Sequence, residues 1–313
     1  DSKGDLYTVT GFETFDIAST NDAATLNLKD YAGATNVVAG ANVKTVTVST
    51  APGTTTETIS FTLNGQTVTT AAVGANTIDA SGSKIADAIN ALAGFTATAG
   101  AGAATTDRVT ITATSGEVIE IGSFAESAST TSTYTVSDYN DVTFSNVTNQ
   151  AIDILSGDLV TVTLVDASGT GDIVNVNLKT LTADKGFAHT IGDINVTEVE
   201  TVNLNVTGMK AGQAKTLSNL SGDAKLTTLN ISGDSDLVIT DHASDNTKLA
   251  TITSTSTGDV TLSDAVASLA QTITTGAGND KVVFAGNLTA ADVVDLGGNT
   301  AETGGTAGKD TVT

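Results

Sequence analysis

From about residue 199 onward the chain consists of short apolar alternations broken by turns that carry Gly or Asp. No other feature constrains its fold as tightly. Val202-Asn203-Leu204-Asn205-Val206, Leu229-Asn230-Ile231, Ile252 and Ile273 mark successive strands, and the later steps, 229 to 252 and 252 to 273, are 23 and 21 residues. A second short strand often follows each one: Asp236-Leu237-Val238-Ile239, Asp259-Val260-Thr261-Leu262 and Lys281-Val282-Val283-Phe284. A repeat of roughly 20 to 30 residues marks a solenoid. One rung cannot bury its apolar face alone, so stacking makes the core. Two strands per rung predict an all-β chain built as a parallel β-helix or β-roll. The competing arrangement is ordinary hairpins in stacked β-sandwiches. A second repeat signal is the string Val-Thr-x-x-Glu-Thr-x-x-apolar, which starts at Val9 and again at Val196, with Gly4-Asp5 and Gly192-Asp193 just upstream.

Composition removes several classes. Among 313 residues there is no Cys, which excludes a disulfide framework and any Cys-ligated metal. Thirteen basic residues against 35 acidic ones give a net charge of −22. A field of that sign repels phosphate, so no nucleic-acid partner is expected. No stretch is long and apolar enough to span a bilayer, and membrane insertion is not expected. The chain reads as a fragment, since Asp1 is not a natural start and Asp310-Thr311-Val312-Thr313 stops inside a pattern. Branched Thr, Val and Ile suit pleated strands, and Gly, Asn and Asp suit tight turns. The acidic surface serves solubility, or its carboxylates are cation ligands.

Residues 51–125 read differently, as an inserted α+β (ββαββ) module, with the solenoid confined to 1–50 and 126–313. Thr58-Ile59-Ser60-Phe61-Thr62-Leu63 alternates, Asn64-Gly65 predicts a type I′ hairpin turn, and Gln66-Thr67-Val68-Thr69 returns. Ser81 or Ser83 is the expected cap of a helix whose apolar face is Ile85, Ala88, Ile89 and Leu92, ended by Gly94. Two strands follow, Arg108–Thr112 and Glu117–Ile121. In its Leu63-Asn64-Gly65 turn, its Ala88-Ile89-Asn90 helix and its Phe95-Thr96-Ala97 strand start, this unit resembles the small modules of flagellin hypervariable regions. That resemblance implies surface decoration of an extracellular polymer.

The sharpest motif is Thr275-Gly276-Ala277-Gly278-Asn279-Asp280-Lys281-Val282-Val283. It resembles the Gly-Gly-x-Gly-x-Asp-x-apolar-x nonapeptide of repeats-in-toxin proteins. In this reading Gly276 and Gly278 give the backbone conformations closed to other residues. Asp280 supplies a hard carboxylate oxygen, and Val282 anchors the turn. Calcium takes six to eight oxygens, so a second turn must stack on the first. Candidates are Gly304-Gly305 with Gly308 and Asp310, and the Asp295-Leu296-Gly297-Gly298-Asn299 turn between them. Thr275, Gly276, Gly278, Asp280, Asp295, Gly297, Asn299, Gly305, Gly308 and Asp310 are therefore the expected calcium (Ca2+) site, joined by Asp259 of the looser Gly258-Asp259 turn. Similar Gly-Asp pairs at 157–158, 171–172 and 233–234 read as turns with an Asx hydrogen bond ahead of calcium sites.

Residues 272–313 as a whole resemble type I-secreted bacterial S-layer proteins. The likeness lies in the Gly276 to Asp280 turn, the Asn287-Leu288-Thr289-Ala290-Ala291-Asp292 segment, and Asp295 to Gly297. It implies a secreted, extracellular protein of the cell surface, a structural S-layer lattice of identical copies, and an envelope polysaccharide as anchor. A large type I-secreted, calcium-dependent adhesin is the alternative. No enzyme is expected: the two histidines, His189 and His242, lack a partner at a metal-ligand spacing, and no nucleophile elbow or phosphate loop occurs.

Overall fold

A computed structural model describes residues 14–17, 24–30, 35–39, 43–100, 107–114, 119–128, 132–138, 141–155, 157, 159–180, 189–209, 212–222, 224–263, 269–298 and 309–313. Among these, the chain alternates between two parallel sheets of nine strands each. The first sheet runs from Thr14–Ile17 through Ile173–Lys179, Thr201–Thr207, Thr228–Gly233, Thr251–Ser254 and Thr272–Thr274 to Val293–Asp295. The second includes His189–Thr197, Ala214–Ser221, Asp236–Asp241, Val260–Ser263 and Lys281–Val283, and ends at Thr311–Val312. Each coil gives one strand to each sheet, and the fold is a β-solenoid, as the sequence period requires.

Val174, Val202, Leu229, Ile252 and Ile273 stand opposite one another in register, and each is at most 1% exposed. Along this column, continued to Val294, coil length falls from 28 to 27, 23, 21 and 21 residues. The shortening lies in the strands: Ile173–Lys179 and His189–Thr197 give way to Thr272–Thr274 and Lys281–Val283. On the outer face of the first sheet, Asn203 Nδ2 donates to Asn175 Oδ1 and Asn230 Nδ2 to Asn203 Oδ1, both at 2.9 Å. The repeated Glu-Thr string marks one place in the coil: Thr14 and Thr201 both open strands of the first sheet.

After Asn36–Ala39 the chain leaves the solenoid and returns at Asp141–Val147. The intervening module has its own core, in which Phe61, Leu63, Ile85, Ile89, Val109 and Ile111 are buried. It is wider than 51–125. Val43–Val48 and Tyr134–Asp138 pair in its antiparallel sheet, where Val46 and Val48 are buried and Tyr134 stacks 4.6 Å from the Phe124 ring. The Asn64-Gly65 turn is type I′, with φ of 47° and 75°. The helix spans Ile78–Asn90 and is capped by Thr77, whose hydroxyl accepts from Ala80 N at 3.2 Å. Ser81 therefore lies inside the helix, fully buried, and neither it nor Ser83 caps it. Asp107–Ala113 pairs with Phe95–Gly100 on one side and Val43–Val48 on the other. Of the strand expected at Glu117–Ile121, residues 117 and 118 lie outside the described residues and Ile121 makes only an isolated bridge to Leu63.

Candidate metal centre

The expected site lies where the chain turns from the first sheet into the second. Successive coils approach so closely there that no Cβ fits at Gly276, Gly278 or Gly297. One added at Gly276 would sit 2.2 Å from the Ser256 carbonyl oxygen, and one at Gly297 would sit 2.1 Å from the Gly276 carbonyl oxygen. Only Gly297 takes a left-handed conformation, φ +69°. Gly276 and Gly278 are thus required for close backbone approach, which corrects the conformational role expected of them. The contact is closed by Ala277 N donating to Ser256 O at 3.1 Å and Gly298 N to Gly276 O at 3.2 Å.

Aspartates clasp these corners together. Asp236 Oδ1 accepts from Asp259 N at 2.9 Å, and Asp259 Oδ1 from Asn279 N at 2.6 Å. Asp280 Oδ1 accepts from Val260 N at 2.8 Å, and Asp310 Oδ1 from Asp280 N at 3.0 Å. Asp259 and Asp280 thus form a reciprocal pair across one coil boundary, each carboxylate holding an amide of the other's coil. Such charge-assisted bonds are stronger than neutral ones.

Asp280 differs from the rest. It is 1% exposed, in register with Val260 on the core side of the second sheet. Its Oδ2 has no hydrogen-bond partner, and neither do two other buried oxygens of this turn, Thr275 Oγ1 and Asn279 Oδ1. Burial raises its pKa above the usual carboxylate range and the nearby Asp310 and Asp259 carboxylates raise it further, opposed by the Val260 amide and by the neighbouring Thr275 hydroxyl, which lies close to the carboxylate without completing a hydrogen bond to it. Among the described residues, none of Asp259, Asp280 and Asp310 forms an ion pair. A buried carboxylate among like charges needs a proton or a cation. The orphaned atoms are all hard oxygens, the donor type that suits calcium.

The other expected ligands divide. Thr275, Gly276, Gly278, Asp280, Asp259 and Asp310 come together at this corner. Asp295 does not: it is exposed on the outer side of the first sheet, and its Oδ1 accepts from Gly297 N at 3.1 Å in its own turn. Asn299, Gly305 and Gly308 lie outside the described residues. No group of three or more His, Asp or Glu side chains converges as a metal cluster among the described residues, so any cation here leans on Thr, Asn and main-chain oxygens.

Two polar residues, one in this turn and one three coils earlier, do not stand out from the sequence. Asn279 lies inside the motif, but its amide oxygen is a weaker signal than the carboxylates around it. Lys215 is fully buried, and its ammonium donates to Lys179 O at 2.8 Å, Leu155 O at 3.4 Å and Thr180 Oγ1 at 3.5 Å. The one signal for it is strand parity: Lys215 shares the parity of buried Leu217, which directs both inward. Burial lowers the Lys215 pKa from 10.5 to about 8, partly offset by Glu120.

A separate polar cleft of about 260 Å³ is lined by Lys44, Glu120 and Val136 of the module and by Thr190, Gly192 and Ser218 of the second sheet. Glu120 Oε1 there accepts from Thr190 N at 3.0 Å. Within the module, the Tyr134 hydroxyl donates to Glu126 Oε1 at 2.8 Å. No helix among the described residues is long and apolar enough to cross a membrane. Compared with protein-family models, curated proteins and solved structures, the chain matches none of them.

Proposed function

We propose that this chain is a structural protein of a bacterial surface layer, secreted and assembled from identical copies into a calcium-stabilised two-dimensional lattice. The observation that carries the calcium part is the buried, unpaired Asp280 Oδ2 beside the orphaned oxygens of Thr275 and Asn279. Asp280, Thr275 and Asn279 would hold the ion, with Asp259 and Asp310 contributing negative field. Calcium supplies positive charge there, removing the cost of a buried carboxylate and the repulsion among its neighbours. The chain's own groups do the rest: the aspartate–amide clasps fix coil to coil, and the glycines let the coils touch. A solenoid with two nine-stranded sheet faces is a suitable lattice unit, and the net charge of −22 keeps copies apart until it is neutralised.

The second reading, a calcium-dependent adhesin, is favoured by the inserted module, whose core is separate from that of the solenoid. Adding calcium to the purified chain and imaging it by electron microscopy separates the two. Ordered sheets support the lattice. Calcium-bound monomers that never form sheets support the adhesin and sink the lattice.

A further inference from the structure

Lys215 and Asp280 lie in one inward-facing column. Lys215 stands opposite Leu237, and Leu237 opposite Val260. Thr261 stands opposite Lys281, which sets Val260 beside Asp280. The column therefore reads Lys215, Leu237, Val260, Asp280, with a buried cation at one end and a buried carboxylate three coils later. Both charges sit where the chain enters the second sheet. Three N–H donors of the Lys215 ammonium meet three oxygens from two earlier coils: the carbonyls of Leu155 and Lys179 and the hydroxyl of Thr180. An ammonium bridging main-chain oxygens of neighbouring coils does what a bound ion would do there.

Two mid-solenoid carboxylates have lysines too, and the Lys225 charge also lies near Asp172, whose buried Oδ2 has no hydrogen-bond partner. Asp153 pairs with Lys179, and Glu198 pairs with Lys225 at 3.0 Å, in a cluster where Glu200 Oε2 accepts from Asp172 N. At the later corner the adjacent lysine, Lys281, is exposed and on the opposite side of its strand from buried Val282.

We propose that Lys215 is a resident cation that makes the middle coils independent of calcium, so that the calcium requirement is confined to the coils from about Thr255 to the end. This rests on the reading of the Asp280 corner as a cation site. The solenoid then has a permanently folded stem and a calcium-gated end, and export conditions low in calcium loosen only the latter.

Amide hydrogen exchange on the full chain, in calcium and in chelator, tests it. The expected result is that chelation speeds exchange in Thr272–Thr274, Lys281–Val283 and Val293–Asp295, while Ile173–Lys179, His189–Thr197 and Ala214–Ser221 are unchanged. Faster exchange in the second group as well would overturn the confinement yet leave the Asp280 site standing. No change in any strand would remove the Asp280 site, and this proposal with it. In Lys215→Met, exchange in Ile173–Lys179 and Ala214–Ser221 is expected to rise about tenfold through loss of the buried bonds, equally with and without calcium. Unaltered exchange, or full recovery on adding calcium, would refute a resident-cation role.

Discussion

Lys215 and Asp280, 65 residues apart in sequence, occupy one core-facing column of the second sheet, with Leu237 and Val260 between them. At the usual strand spacing the two buried charges are roughly 14 Å apart, too far for a direct ion pair. Each must be satisfied within its own coils. Lys215 has three oxygens for this; Asp280 has one amide at Oδ1 and nothing at Oδ2.

Calcium is expected to raise the melting temperature of the wild-type chain. An ion at about one hundred times its Kd adds about 2.7 kcal/mol. In Asp280→Asn the amide from Val260 is kept but the buried charge is gone, so calcium is expected to leave the melt unmoved. Asp166→Asn, at an exposed turn where Asp166 accepts from Ser168, is expected to keep the full calcium shift. Thermal melts of the three proteins in calcium and chelator check this, and a wild-type melt indifferent to both conditions sinks the calcium site.

Lys215 makes stability depend on alkaline pH. Its folded pKa of about 8 lies below the unfolded value of 10.5, so between these values the unfolded chain binds more protons. The cost of burying the ammonium applies in full below pH 8. It fades as pH rises toward 10.5, and stability rises by about 3 kcal/mol across that window. Denaturant melts of wild type and Lys215→Met over this range should diverge by that slope. Parallel pH profiles would show that Lys215 titrates as if in water.

Gly276→Ala is expected to cost about 1–3 kcal/mol, because its Cβ meets the backbone of the preceding coil, which cannot rotate aside. Gly171→Ala, with nothing within 4 Å of the added atom, is expected to be near neutral. Equal effects in urea melts would mean that the coils at residues 256 and 276 are not in close contact.

Ile89→Ala and Leu229→Ala each remove a fully buried side chain, at about 2–5 kcal/mol, but from different cores. Hydrogen exchange should show the first loosening Asp107–Ala113 and the second loosening Thr201–Thr207 and Thr251–Ser254. Loosening of both regions by either change would argue for one cooperative unit.

The sequence alone determined the period and the strand parity. Alternating Val, Ile and Leu at steps of 23 and 21 residues favour stacked coils over hairpin sandwiches, and the register then places Leu229, Ile252 and Ile273 in one column. The Asn64-Gly65 turn is legible for a local reason too, since few residue pairs tolerate two positive φ angles. The edges of the inserted module are not legible in this way. Val43–Val48 and Tyr134–Asp138 have ordinary strand patterns, and only pairing across some 90 residues assigns them to the module and not the solenoid. The partners of each carboxylate are also beyond the sequence. Asp280 and Asp295 look alike as aspartates beside glycine-containing turns, yet one is buried and the other exposed. The register of a coil against its neighbour decides that, and long-range hydrogen bonding sets the register.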